Sequence, residues 1–147
     1  MNRNAHLQYS QVQIKTANKG KLIIMLYQGA IRFMKKALIQ LEQKDMEGKG
    51  KSLIRAQDIV LELLYALDQD MLAKGNELAL NLQRLYLYCY RRLIRANVDM
   101  DPGAIKEVAE LMGGLLEAWE KVAGPQIEPS AESELPQQLQ PRVAITG

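Results

Sequence analysis

Residues 19–41, KGKLIIMLYQGAIRFMKKALIQL, set the pattern for the chain. Read at 3.6 residues per turn, they predict a helix with two apolar stripes. The first is Leu22, Leu26, Gly29, Phe33 and Ala37; the second is Tyr27, Ile31, Met34 and Leu38. The stripes lie roughly 100 degrees apart, the rotation of one helical residue. One stripe docks a helix on a bundle, and the second calls for another neighbour. This first helix is expected to start at Thr16 or Asn18, both good N-caps, and to end near Lys44. Its first turn, Lys19-Gly20-Lys21, is a poor one, because cations oppose the positive end of the helix dipole.

Asp45 reads as the N-cap of a second helix with Glu47 in its first turn, softened by Gly48 and Gly50. Its core stripe is Leu53, Ala56, Val60, Leu63 and Leu67, with Ile54, Leu61 and Tyr65 well off it. Ala73-Lys74-Gly75-Asn76 is the next break, where Gly75 suits a C-cap and Asn76 an N-cap. The third helix carries Leu78, Leu82, Leu85, Cys89, Leu93 and Ala96 on one face. Leu80, Leu87, Ile94 and Val98 fall almost opposite, interleaved with Arg84 and Arg91. Asp101-Pro102 starts a fourth helix, singly amphipathic through Ile105, Val108, Met112, Leu115, Trp119 and Val122. Four helices with short connections and no strand candidate predict an all-α fold, an antiparallel four-helix bundle running up-down-up-down over residues 18–123.

The two ends differ from this body. Residues 1–17 are polar, with Leu7, Tyr9, Val12 and Ile14 scattered among Gln and Asn, and are expected to form an arm laid over the bundle. Residues 124–147 hold four of the five prolines, with Ser, Gln and Glu, a composition expected to be disordered. Ile127, Leu135, Leu139, Val143 and Ile145 are its only sizeable apolar residues and could form a short contact motif. The net charge of +2 is unevenly placed: residues 1–21 have four cations and no acid, the body is balanced, and the tail has three Glu and one Arg. A balanced body argues against a nucleic-acid footprint. No apolar run approaches the roughly 18 residues of a membrane span, so no membrane insertion is expected. The N-terminus lacks the apolar core of a signal peptide, and the single Cys89 fits a reducing cytosol.

Catalytic chemistry finds no home. Di-metal bundle sites need inward Glu and Glu-x-x-His pairs, and the lone histidine is His6, in the arm. Cys89 lies on a core stripe and reads as filler. Gly113-Gly114 sits within a helix and is not a phosphate loop. No enzyme, metal or cofactor is expected. What remains are the surplus apolar faces. The arm and tail, tighter packing, or a homodimer would account for them; so would a groove that takes partner helices. Burying one Leu or Ile is worth about 1.5–3 kcal/mol, so several such residues suffice to order a disordered partner segment.

Three stretches together carry a family resemblance: YSQVQIKTA from Tyr9, KLIIMLYQGAIRFMKKA in the first helix, and NLQRLYLYCYRRLIRAN in the third. With LIRAQDIVLEL between them and LLEAW ending at Trp119, the chain resembles the FliS family of flagellar export chaperones over about three-quarters of its length. Family members usually start their first helix with a Ser-Pro-Glu-like cap, where this chain has Asn18-Lys19-Gly20. The resemblance implies a cytoplasmic chaperone that binds the C-terminal segment of flagellin, prevents its early polymerisation and delivers it to the flagellar type III export gate. It also implies that Tyr27, Ile31, Met34 and Leu38 line one groove, and Leu80, Leu87 and Ile94 another, with Ile54, Leu61 and Tyr65 beside them. Tyr9, Val12 and Ile14 would belong to a cap that occupies a groove until cargo displaces it. Arg95-Ala96-Asn97 would close the third helix. The competing class is a helical adaptor or membrane-surface module unrelated to flagellin, which needs a basic rim that only residues 1–21 supply.

Overall fold

The computed structural model describes residues 19–123. Five helices account for nearly all of them: α1 (Lys19–Glu42), α2 (Met46–Tyr65), α3 (Gln69–Ala73), α4 (Glu77–Asp99) and α5 (Pro102–Ala123). The four long ones form an antiparallel bundle, each beside two others in the ring α1–α2–α4–α5. The expected arm, with Tyr9, Val12 and Ile14, and the expected tail lie outside the described residues.

The connections follow from cap chemistry. Lys44, at φ 64°, lets the chain leave α1, and Asp45 accepts the Gly48 amide at 3.0 Å to open α2. Gly48 has a reason to be glycine beyond its turn: a Cβ there would collide with the Asp45 carboxylate and sit 2.6 Å from Gln40 Nε2. The expected second helix, running on to Ala73, is corrected. It stops at Tyr65, because Asp68 takes the Asp70 amide at 2.7 Å and starts the short α3 instead. Leu67 nevertheless completes the core stripe at the break. Gly75, at φ 74°, then ends α3, and Asn76 caps α4 by accepting the Ala79 amide at 3.0 Å. Met100 closes α4 in the left-handed region, donating to Ala96 O, and Asp101 accepts the Gly103 and Ala104 amides at the head of α5.

Helix α1 occupies a corner of the ring, and this resolves its two stripes. Gly29, on the first stripe, faces α2 so closely that an added Cβ would lie 3.3 Å from Ile59 Cδ1. On the same side, the Gln40 amide and the Ser52 hydroxyl lie 2.7 Å apart. The second stripe faces the bundle axis and α5. Tyr27 and Met34 are fully buried, and the Tyr27 ring centroid is 6.5 Å from that of Trp119. The neighbour called for by the second stripe is therefore the chain's own α5. This corrects the expectation that Tyr27 and Met34 line a groove; they are core.

The Tyr27 hydroxyl lies 2.6 Å from the Tyr86 hydroxyl, so α1 and α4 meet across the diagonal of the bundle. Ile23, Leu53, Leu63, Leu93, Ile105 and Met112, all fully buried, belong to the same interior. Cys89 shares this interior, and burial pushes its thiol up to about 12, well above neutral pH.

Two polar links fix the register of the outer seams. Lys49, almost fully buried, donates to the Asn97 carbonyl oxygen at 3.1 Å and to Asn97 Oδ1 at 2.7 Å. It thus places a cation at the negative end of α4 and ties that end to the start of α2. The Asn97 of the Arg-Ala-Asn motif therefore couples two helices at the point where the third long helix closes. Between α4 and α5, Glu107 accepts from Tyr88 Oη at 2.5 Å and from Arg92 Nε at 2.7 Å. Those bonds hold the Glu107 carboxyl below the usual carboxylate range, the Tyr88 bond contributing most, and the same bond raises the Tyr88 phenol.

Replacing Lys49 with Ala should cost about 1.5–3 kcal/mol in urea unfolding, the range for a hydrogen bond to a charged group. Because the folded Glu107 titrates lower than an unfolded one, its stabilisation is present above the ordinary carboxylate range and is lost as pH falls through the folded value. Glu107→Gln should accordingly be less stable than the parent at pH 7, with the gap closing on acidification, as read by Tm at stepped pH.

Candidate functional site

On α2 the inward residues Leu53, Ala56, Val60 and Leu63 leave Ile54, Leu61 and Tyr65 on a face rotated away from the core. On α4 the inward residues Ala79, Leu82, Tyr86, Cys89, Leu93 and Ala96 leave Leu80, Leu87 and Ile94 on a comparable face. Both faces flank the same seam. The side of α2 that meets α4 is marked by Lys49 bonding Asn97, and Gly50 lies beside the Asn97 side chain. The antiparallel register set by that pair opposes Ile54 with Ile94, Leu61 with Leu87, and Tyr65 with Leu80. The two sets, separate in sequence, thus make three rungs along one groove over the α2–α4 seam.

The rungs are not part of the closed interior. Tyr65 is 72% exposed, Ile54 51% and Ile94 37%. Leu61, Leu80 and Leu87 are half-buried, and among the described residues they are absent from the shell that packs directly on the core, which includes Leu64 and Tyr90 in the floor of the seam. Val98, one turn beyond Ile94 and 67% exposed, extends the apolar wall. The sequence had placed Val98 on this face of the helix but not among the site residues; its four-residue spacing from Ile94 was the available signal. A contiguous row of this kind is ready-made for a partner that brings its own apolar stripe.

The remaining site residues of α1 fall elsewhere. Leu38 is half-buried against the core. Ile31 lies on the opposite side of the bundle, at the α1–α5 seam, where it lines a surface depression of about 320 Å³ with Gln28, Arg32, Lys35 and Leu116. The one groove expected on α1 is thus divided between the core and this depression, because α1 meets two neighbours.

Among the described residues, no group of three or more His, Cys, Asp or Glu side chains could hold a metal ion. None of their helices is long and apolar enough to cross a membrane. The α4 rim of the groove carries the exposed Arg84, Arg91 and Arg95, the last paired with Asp99 at 3.4 Å within its own helix.

Comparison with known proteins places this surface in context. The family model described as flagellar protein FliS matches residues 1–126. The flagellar secretion chaperone FliS of Salmonella typhimurium is 40% identical over 120 residues, covering 78% of this chain and 87% of the relative. That of Bacillus subtilis is 35% identical over 119 residues, covering 81% and 86%. That of Campylobacter jejuni is 36% identical over 121 residues, covering 82% and 92%.

Core and rim should separate cleanly in stability. Met34→Ala is expected to cost about 2–5 kcal/mol, as for other buried large-to-small changes. Tyr65→Ser and Ile54→Asp should each stay within about 0.5 kcal/mol of the parent, as measured by chemical denaturation.

Proposed function

The chain belongs to the FliS family of flagellar proteins, and from that membership we propose that it is a cytoplasmic export chaperone whose cargo is the C-terminal segment of flagellin. The observation that carries the reading is the row Ile54, Leu61, Tyr65 against Leu80, Leu87 and Ile94, an apolar groove that runs along more than half of each helix that flanks it. A disordered segment that lays an amphipathic helix into this groove buries side chains worth about 1.5–3 kcal/mol each. Several of them offset the 2–5 kcal/mol or more that ordering such a segment costs. Once seated, the segment's apolar stripe is no longer available to another flagellin, which prevents premature polymerisation. The groove binds side chains and asks for no folded tertiary structure, so the cargo stays unfolded for delivery to the flagellar type III export gate. Nothing in this role involves bond making or breaking, and the protein acts without catalysis.

The family match begins at residue 1 and so takes in the arm. In this reading Tyr9, Val12 and Ile14 form a cap over apolar surface of the bundle until cargo arrives. Domain boundaries follow: an arm over residues 1–17, the bundle over 18–123 and a tail over 124–147. Ile31 and Leu38 are secondary contacts reached by a cargo segment long enough to pass round to the other seam.

The test is calorimetric titration of a synthetic C-terminal segment of flagellin from the same organism. The double variant Ile54→Asp, Ile94→Asp should weaken binding by roughly a hundredfold, since two apolar contacts of about 1.5 kcal/mol each correspond to about tenfold apiece. Wild-type affinity in a folded double variant would remove the groove from the binding site. A mass that doubles with concentration, with no response to the segment, would favour a homodimer on this face.

A further inference from the structure

Apart from the secondary cargo contact given to Ile31, the groove reading leaves the depression at the α1–α5 seam unassigned. Its floor is apolar, Ile31 and Leu116, and its lip carries Arg32 and Lys35. The antiparallel register, fixed by Gln28 donating to Glu120 at 3.3 Å, brings Gly113 opposite Lys35. A Cβ at Gly113 would meet nothing within 4 Å, so the glycine leaves open space beside the depression where other residues would fill it. This gives the Gly113-Gly114 pair a consequence for surface shape.

Two segments of the chain lie within reach, because α1 begins and α5 ends at the same end of the bundle. Residues 1–18 contain Arg3 and Lys15 and no acid, so they bring no counter-charge for Arg32 and Lys35. Residues 124–147 contain Glu128, Glu132 and Glu134, with Ile127 and Leu135 bracketing them. Reach also favours the second segment. Leu116 lies about 10 Å back along α5 from Ala123, at 1.5 Å per residue. Residues 124–127 extend to about 13 Å when fully stretched. Ile127 can therefore turn back onto Leu116, with Glu128 and Glu132 placed for Arg32 and Lys35. The prolines at 125 and 129 suit an extended strand of chain lying in a shallow seam. The family match stops at residue 126, so this contact would be a property of this chain and not of the shared bundle.

We propose that residues 127–135 fold back onto the α1–α5 seam, seating Ile127 on Ile31 and Leu116 and their glutamates against Arg32 and Lys35. The tail then covers the second apolar surface of the bundle and leaves the α2–α4 groove free. The contact does not depend on what the groove binds.

The experiment uses the full chain with Ser130→Cys carrying a nitroxide label; the buried Cys89 stays unlabelled. Paramagnetic broadening of backbone amides should concentrate on residues 28–38 and 113–120 and spare residues 54–65 and 80–94. Arg32→Glu with Lys35→Glu should remove most of it, and Ile127→Ser should do the same without altering charge. Broadening that is uniform, or that falls on residues 54–65 and 80–94, overturns the proposal. So does broadening that persists undiminished in both variants, or that appears equally when an unlabelled-isotope, nitroxide-bearing copy is mixed with an isotope-labelled, nitroxide-free copy, since that contact would be between molecules.

Discussion

Two phenol groups meet at the centre of this bundle, and the rest of the packing is arranged around them. Tyr27 and Tyr86 are fully buried, and their hydroxyls lie 2.6 Å apart. A buried hydroxyl left unpaired would carry its desolvation cost, and here each phenol offers the other a partner within the interior. That bond ties the height of α1 to that of α4 across the diagonal. Trp119, tilted against Tyr27, then sets α5 in the same layer. Small residues share this interior: Ala30 and Ala37 on α1, Ala56 on α2 and Ala96 on α4 are all buried. The bundle is thus a set of amphipathic rods held in one register by a polar contact inside an apolar layer.

With the register fixed, the outer surface is also fixed. Lys49 pins the start of α2 to the end of α4, so that the off-core residues of those two helices are brought opposite one another and not staggered at random. Lys49 is a cation held with its ammonium on the Asn97 carbonyl and amide oxygens, a costly placement unless the hydrogen bonds are kept. It keeps α2 and α4 close at one end of the groove while leaving Ile54, Leu61, Leu80, Leu87 and Ile94 on the flanks. On the other pair of neighbours, Glu107 with Tyr88 and Arg92 performs a similar alignment at the surface, where solvent screens it. The closed interior and the exposed apolar row thus lie on different faces of the same helices. The inward faces close the molecule, and the groove residues lie outside that closed interior.

The helices and their starts were legible in the residues themselves. Asp45, Asn76 and Asp101 are capping side chains at the heads of apolar periodic runs, and each accepts the amide its position demands. The core stripe Leu53, Ala56, Val60, Leu63 and Leu67 is buried throughout, because a three-four spacing on one helix has only one face on which to close. The break before α3 was missed. Asp68 competes for a backbone amide at a place where hydrophobic spacing continues undisturbed through Leu67, and periodicity is blind to that competition.

What the sequence could not settle was which surplus stripe belongs to the molecule and which is left over. Tyr27 and Met34 looked like a second, spare stripe on the first helix, yet they are the core; Ile54 and Ile94 looked similar in kind and are exposed. A single helix records only that it has two apolar faces. Whether a face is covered depends on how many neighbours that helix has, and α1, wedged between α2 and α5, buries Tyr27 and Met34 of its second stripe within its own chain. The spacing of apolar residues determined four rods and their caps by local geometry alone. The pairing of α2 with α4, and with it the groove, was decided only by tertiary contacts that join residues nearly fifty positions apart, such as Lys49 and Asn97.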